Sequence, residues 1–404
     1  MDTRPLGVPA YRRVWAGQAV SHIGLAVTVV SVSQQVWELT HSSLWVGLLS
    51  MANLVPLVVF GLWGGAVADA MDRRRLLLIG SFIAWAGTLI LVAQALLDLR
   101  SVEVLLAATA VSATGFAISS ATRGAVIPRI VGVELVPAAN ALNSLVYSIG
   151  AIAGPMIGGV VLAWGGFGAA YSIDALLFTG SLYGALRLPA LKPLGEVSRP
   201  GARAVYEGLR FILGSKVLLM SFVVDIIAMV FALPRALFPQ LAAEGFGGSL
   251  IALGWLNSGM AIGSVAGALF SGWVGRVRRQ GLALVAVIAL WGLAVAAAGL
   301  SSQLWLVVLF MALGGACDVV SSVWRQSILQ TYAPDEMRGR MQGVFMVVVA
   351  GGPRLGDLRA GAMASMVGLT AAFAGGGIAC AIAVVIVGLA VPAFRNYDAR
   401  ARRS

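Results

Sequence analysis

The sequence predicts an all-α integral membrane protein with twelve transmembrane helices in two pseudo-symmetric six-helix bundles. Three observations carry that prediction: the composition, a succession of apolar windows, and an internal repeat. Of the 404 residues 59% are apolar and 11% charged, and the mean hydropathy is +0.91. A soluble domain holds roughly 45–50% apolar and about 25% charged residues, so this chain lacks the polar surface to face water on all sides. The same composition is the reverse of a disordered one. Crossings of about 20 apolar residues joined by short loops use up the length and leave no room for a sizeable aqueous domain.

The apolar windows fall near 14–38, 44–68, 76–97, 104–127, 139–164, 168–188, 217–241, 249–275, 281–300, 304–330, 341–367 and 369–392. Helices are the spanning form for runs this long, because each backbone polar group must find its partner inside the segment. The first window follows an arginine-bearing start (Arg4, Arg12, Arg13) and continues past Val36 without a small-residue cleavage site, so it reads as a retained span and not a leader. Residues 189–216 form the longest polar interval. That interval is expected to be a cytoplasmic central loop dividing an N-terminal bundle (1–188) from a C-terminal bundle (217–404).

Orientation follows from the basic residues. With the N-terminus inside, 22 of the 28 lysines and arginines fall on the cytoplasmic side, Arg100 alone falls outside, and five lie within spans. Such an asymmetry predicts both termini in the cytoplasm of a bacterial inner membrane. The net charge of +11 is therefore read as topology and not as a nucleic-acid surface. Cys317 and Cys380 sit in apolar stretches, and His22 and His41 are the only histidines, so no disulfide framework, metal site or cofactor is expected.

The halves repeat. Gly154-Pro155-x-x-Gly158 in the fifth window matches Gly352-Pro353-x-x-Gly356 in the eleventh, and Gly61 through Arg75 aligns with Gly267 through Arg279. Parallel repeats about an axis along the membrane normal are a transporter device, with substrate held near the midplane at the repeat interface.

After the second window the chain reads Gly65-Ala-Val-Ala-Asp69-Ala-Met-Asp72-Arg73-Arg74-Arg75. This is similar to the G-x-x-x-D-x-x-G-R-[RK] signature of the major facilitator superfamily, in the position where that superfamily carries it. Ala70 and Asp72 depart from the pattern, which usually has a basic residue and a glycine there. The resemblance implies a cytoplasmic gate built on Gly65, Asp69, Asp72, Arg73, Arg74 and Arg75. Its counterpart in the second half has Gly275 in place of Asp69, so the latch is asymmetric. The fifth window carries Gly150-x-x-x-Gly154-Pro155-x-x-Gly158-Gly159, similar to the superfamily's antiporter motif, with Ala141 where an upstream glycine is usual. Glycines at this spacing also allow close helix contact, and the proline deletes a helix hydrogen bond.

Thr40-His41-Ser42-Ser43, Glu207-Gly208-Leu209-Arg210-Phe211 and Leu329-Gln330-Thr331-x-x-Pro334-x-x-Met337-x-Gly339-Arg340-x-x-Gly343 narrow the resemblance. Together they resemble the branch of the superfamily that holds the enterobactin exporter and drug-efflux proteins. That resemblance implies export of a siderophore or drug-like amphipathic molecule in exchange for protons.

Charges inside spans are the strongest functional signal, since each costs roughly 2.5–3.5 kcal/mol or more near the bilayer centre unless paired or solvated. Asp225, Asp318 and Asp357 are the candidate proton-coupling groups, Asp225 foremost because it has no partner in its own helix. Arg325 follows Asp318 by seven residues on the same helical face, and Arg354 and Asp357 stand three apart, where they can pair. Arg354, Arg325, Arg123 and His22 are candidate charges for a substrate cavity. Arg123 and Arg325 occupy corresponding places in the two halves, and Asp174 and Arg235 lie nearer span ends. Trp15, Trp45, Trp164 and Trp305 read as interfacial anchors, and Trp255 and Trp324 as candidate cavity walls.

The expected function is thus secondary active export by proton antiport and alternating access, by a monomer whose partners are a small molecule, protons and lipid, with no nucleic acid. No G-x-x-x-x-G-K-[ST] segment is present to hold a nucleotide, so the energy must come from an ion gradient. The alternatives are proton-coupled uptake through the same fold, and a polytopic receptor or enzyme. Against an enzyme stand the missing His, Cys and carboxylate clusters and the half-repeat.

Overall fold

The computed structural model of the protein describes residues 2–191, 202–332 and 338–398. The chain folds as helices α1 (Pro9–Thr40), α2 (Ser43–Ala70), α3 (Arg73–Leu96), α4 (Val102–Val131), α5 (Val136–Leu186), α6 (Ala202–Gly214), α7 (Lys216–Phe231), α8 (Phe238–Gly245), α9 (Leu250–Leu269), α10 (Gln280–Gly299), α11 (Leu304–Tyr332), α12 (Arg338–Val367), α13 (Leu369–Ala390) and the single turn α14 (Pro392–Arg395). Among the described residues there is no β-strand beyond one isolated bridge between Arg279 and Asp398. Ten helical stretches among them are long and apolar enough to cross a membrane.

One of those stretches is two crossings. α5 runs for 51 residues, about 75 Å at 1.5 Å per residue, more than twice the roughly 30 Å hydrocarbon core. It bends at Gly166, whose φ of 66° and ψ of −170° belong to a region that residues with a Cβ avoid. The break falls in the gap between the fifth and sixth windows. α12 is also long enough to span, yet Arg338, Arg340, Arg354, Asp357 and Arg359 keep it off the apolar set.

The seventh and eighth windows end differently from their expected continuous helices. The seventh breaks after α7 at Leu233-Pro234, passes through a 3-10 turn (Arg235–Leu237) and resumes as α8. Pro234 lacks an amide hydrogen and cannot continue the ladder. In the eighth, α9 stops at Leu269 and a 3-10 turn (Ser271–Arg276) follows, where Gly272 and Gly275 weaken helix formation. Trp324 is 2% exposed, and its indole N–H donates to Val274 O at 2.9 Å, so this ring anchors that turn.

Two compact units result. Unit 1 comprises 1–41, 51–201 and 249–258; unit 2 comprises 42–50, 202–248 and 259–404. The short exchanged segments, 42–50 and 249–258, fall at matching places in the sequence repeat. Within unit 1, α1 packs between the two arms of α5. Gly150, Gly154 and Gly158 of the first arm meet α1 at His22, Ala26 and Val27, and the second arm meets it at Asp174, Gly180 and Gly184. In unit 2, α10 packs on α11 and α13, with Gly292 and Gly377 in mutual backbone contact.

Candidate substrate and proton site

The deepest charges of unit 2 converge. α7 carries Asp225, 1% exposed, and α11 carries Arg325, 4% exposed; the two form an ion pair. The guanidinium also reaches Asp318, seven residues back along α11, at 3.5 Å, and Ser321 Oγ at 3.3 Å. One cation therefore lies between two carboxylates. They differ in access, since the Asp318 side chain is 34% exposed. The spacing of seven along α11 puts Asp318 and Arg325 on one face, and α7 brings Asp225 to the same guanidinium.

Asp357 is held differently. Its Oδ2 accepts from Ser50 Oγ at 2.8 Å and its Oδ1 from the Ala236 amide at 3.2 Å. That amide is free to donate because the helix breaks at Pro234 and its 3-10 turn begins one residue earlier. The other side of the break is held from the same helix, because Arg359 donates to Phe231 O at 3.0 Å and lies over the Phe231 ring. Arg354 donates to Ala350 O on its own helix. Arg235 opens the 3-10 turn, one residue before the Ala236 amide that donates to Asp357. Asp225, Arg325 and Asp318 thus form one cluster, and Asp357 is held apart at the break between α7 and α8.

His22 and Arg123 fall in unit 1. The His22 ring meets Tyr147 edge-on at 5.9 Å, and Arg123 donates to Ser119 O of its own helix at 3.3 Å. Although Arg123 and Arg325 correspond in the repeat, Arg325 alone of the two is drawn into a carboxylate cluster among the described residues.

The loop motif holds unit 1 together at one end. Asp72 caps α3 by accepting from the Arg74 amide at 2.9 Å and also accepts from the Leu191 amide at 3.4 Å. Burial opposes its charge, but those amides outweigh it and hold the carboxyl below the usual carboxylate range. The Arg74 guanidinium donates to Leu186 O at 2.8 Å, on the last residue of α5. Arg73 is half-buried beside it, and Arg75 is exposed. Gly65 and Asp69 lie on the last turns of α2; the Asp69 side chain falls outside the described residues, as do the central-loop residues 192–201 and, in the branch motif, Pro334 and Met337.

The glycine motif of the fifth window is a contact surface. Gly150, Gly154 and Gly158 face α1, whereas a Cβ on Gly159 would strike Leu250 O and lie 3.3 Å from Gly254 Cα. Gly254 in turn packs on Pro155 O, and Ser258 Oγ donates to Ile152 O at 2.7 Å.

Residues 2–404 match the family model described as transmembrane secretion effector, a major facilitator family. The chain belongs to that family. Its members are membrane transporters and not enzymes. The chain is 30% identical over 393 residues to the enterobactin exporter EntS of Shigella boydii serotype 18, covering 96% of this chain and 93% of that one. It is 29% identical over 393 residues, with the same coverage, to the enterobactin exporter EntS of Escherichia coli strain K12. Solved structures share the fold: the nucleoside transporter NupG superimposes with a TM-score of 0.73 at 15% identity, over 96% of this chain and 99% of that one. A bacterial homologue of the iron transporter ferroportin also gives 0.73, at 12% identity over 96% and 98%.

Several members of the polar interior escape sequence reasoning. Ala236 gains meaning only from the α7 break, which Pro234 signals, and Ser50 only from the approach of α2 to α12. In unit 1, Gln35 and Gln94 exchange amide hydrogen bonds at 2.9 and 3.2 Å, and Tyr171 donates to Gln35 at 2.7 Å. The signal for these is uncharged amides inside apolar windows, which a search for charges passes over.

Proposed function

We propose that the protein exports an amphipathic, siderophore-like small molecule by proton antiport and alternating access, as a monomer in a bacterial inner membrane with both termini in the cytoplasm. The observation that carries this reading is the sharing of Arg325 between Asp225 and Asp318. A proton arriving at the more exposed Asp318 neutralises it and leaves Arg325 wholly to Asp225. Loss of that proton returns the guanidinium to both acids. Each state has a different charge within a low-dielectric interior, which is the differential interaction an ion gradient needs to bias a conformational equilibrium. The same guanidinium, with Arg235 on the 3-10 turn and Arg354 on α12, suits a substrate carrying acidic phenols or carboxylates. The relatives named as enterobactin exporters support this substrate class and the outward direction.

The loop motif around Asp69 to Arg75 is assigned the cytoplasmic gate, and the halves 1–188 and 217–404 the two moving bundles. The test is export of a catechol siderophore from cells lacking their own exporter. Wild-type protein should lower cell-associated siderophore, and a protonophore should abolish the effect. Uptake of siderophore into inside-out vesicles on acidifying the lumen should follow. If the molecule accumulates in such vesicles equally well without a pH gradient, proton antiport is wrong.

A further inference from the structure

Unit 1 contains a buried acid that stands apart from the Arg325 cluster. Asp174, on the second arm of α5, is 2% exposed. Its Oδ2 accepts from Thr28 Oγ1 of α1 at 2.7 Å and from Thr88 Oγ1 of α3 at 3.4 Å, while its Oδ1 is buried without a hydrogen-bond partner. No salt bridge involving Asp174 occurs among the described residues. α1 approaches this acid so closely at Gly24 that a Cβ there would lie 2.5 Å from Oδ1 and 3.0 Å from the Asp174 Cα.

The charged and titratable groups on the surrounding helices are turned elsewhere. On α1, His22 meets Tyr147 edge-on, and Glu38 accepts from Gln34 ten residues beyond Thr28. On α3 the arginines 73–75 stand 13 or more residues from Thr88, about 20 Å along the helix. On α4, Arg123 bonds its own Ser119, and on α5, Tyr171 gives its hydroxyl to Gln35. Two hydroxyls do not compensate an ionised carboxylate buried this completely, whereas a proton on it removes the cost. From Asp174 a line of polar groups follows the same helices, through Gln35, Gln94 and Tyr171, toward the end where Glu38 is exposed.

We propose that Asp174 is a second proton-carrying site, in unit 1, that takes one proton onto its carboxylate from the medium and releases it to the opposite side in each transport cycle. Thr28 and Thr88 hold the charged form for the moment of release, and Gly24 allows α1 to seal the acid from water. This inference rests on the proton-antiport reading above, but proton binding by Asp174 is measurable without transport.

The experiment is pH-dependent infrared difference spectroscopy on the full chain in lipid nanodiscs, with proton-to-substrate flux ratios from proteoliposomes. Wild type should show a carboxylic-acid C=O band that vanishes on raising the pH and is absent in Asp174→Asn. Thr28→Val, which keeps the acid and deletes one donor to its charged form, should move the midpoint of that titration up by about one pH unit. The flux ratio of Asp174→Asn should fall by one proton. An unchanged band in Asp174→Asn, an unmoved midpoint in Thr28→Val, a midpoint displaced by sodium, or an unaltered flux ratio would each overturn the proposal. If wild-type flux proves independent of the pH gradient, the antiport reading fails, and the infrared band still decides whether Asp174 binds a proton.

Discussion

Arg325 is ion-paired with Asp225 across α11 and α7, and it lies 3.5 Å from Asp318 on its own helix. Removing the arginine strands two carboxylates at once, so Arg325→Leu should lower stability by about 3–5 kcal/mol. The triple variant Arg325→Leu, Asp225→Leu, Asp318→Leu should recover most of that loss, because no uncompensated charge remains. Thermal unfolding in detergent checks both. A triple variant no more stable than the single one would show that packing, and not charge, holds α7 to α11.

Neutralising one acid leaves Arg325 a partner. Asp225→Asn and Asp318→Asn should therefore fold, bind substrate within a few-fold of wild type and lose proton-driven export at least tenfold. Binding by tryptophan fluorescence alongside flux in vesicles separates the two effects. Wild-type coupling in both variants would remove Arg325 from the proton site.

Asp357 makes both a structural and an electrostatic contribution, and substitutions can divide them. Asp357→Ala loses the bonds from Ser50 and Ala236 and should cost about 1.5–3 kcal/mol. Asp357→Asn keeps an acceptor oxygen, so it should retain most of the stability; loss of export in that variant would then report the charge. A melting curve of Asp357→Asn as low as that of Asp357→Ala would contradict this division.

Two glycines are constrained for different reasons. Gly166→Ala forces a Cβ into a glycine-only conformation and should cost about 1–3 kcal/mol. Gly159→Ala drives a Cβ into Leu250 O and should cost a similar amount through overpacking, about 1–3 kcal/mol. Gly124, where an added methyl would meet nothing within 4 Å and the backbone is ordinary helix, is the control, and Gly124→Ala should be neutral or stabilising. Denaturation midpoints of the three variants provide the comparison.

At the loop motif, Asp72→Ala should lower stability by about 0.5–2 kcal/mol through loss of the α3 cap, whereas Asp72→Asn should be nearly silent because asparagine also caps. The folded carboxyl titrates below its ordinary value, so its contribution is present in full above the unfolded value near 3.8 and is lost as the pH falls through the lowered folded one. The stability difference between wild type and Asp72→Ala should accordingly stay constant from neutral pH down to the carboxylate range and shrink below it. Chemical unfolding at a series of pH values reads that difference.

The spans are legible in the sequence because an apolar run long enough to cross a bilayer has few alternatives, and the boundary at Gly165-Gly166 shows even where backbone hydrogen bonding runs on through α5. Pairing across helices is less legible. Asp318 and Arg325 share one helix, so their spacing places them together; Asp225 joins them only through the packing of α7 on α11. The Asp357 site depends on a helix interruption at Pro234, and the Asp174 site on a glycine contact with α1. Both require knowing which helices are neighbours, and a single sequence carries no register between helices.

The interruption between α7 and α8 is grasped on both sides by one neighbour: Arg359 takes the carbonyl of Phe231 and Asp357 the amide of Ala236. Sliding of α12 along its axis must either drag that elbow with it or unhook two bonds together. The elbow is therefore geared to α12, and deuterium uptake at the Ala236 amide would time each disengagement.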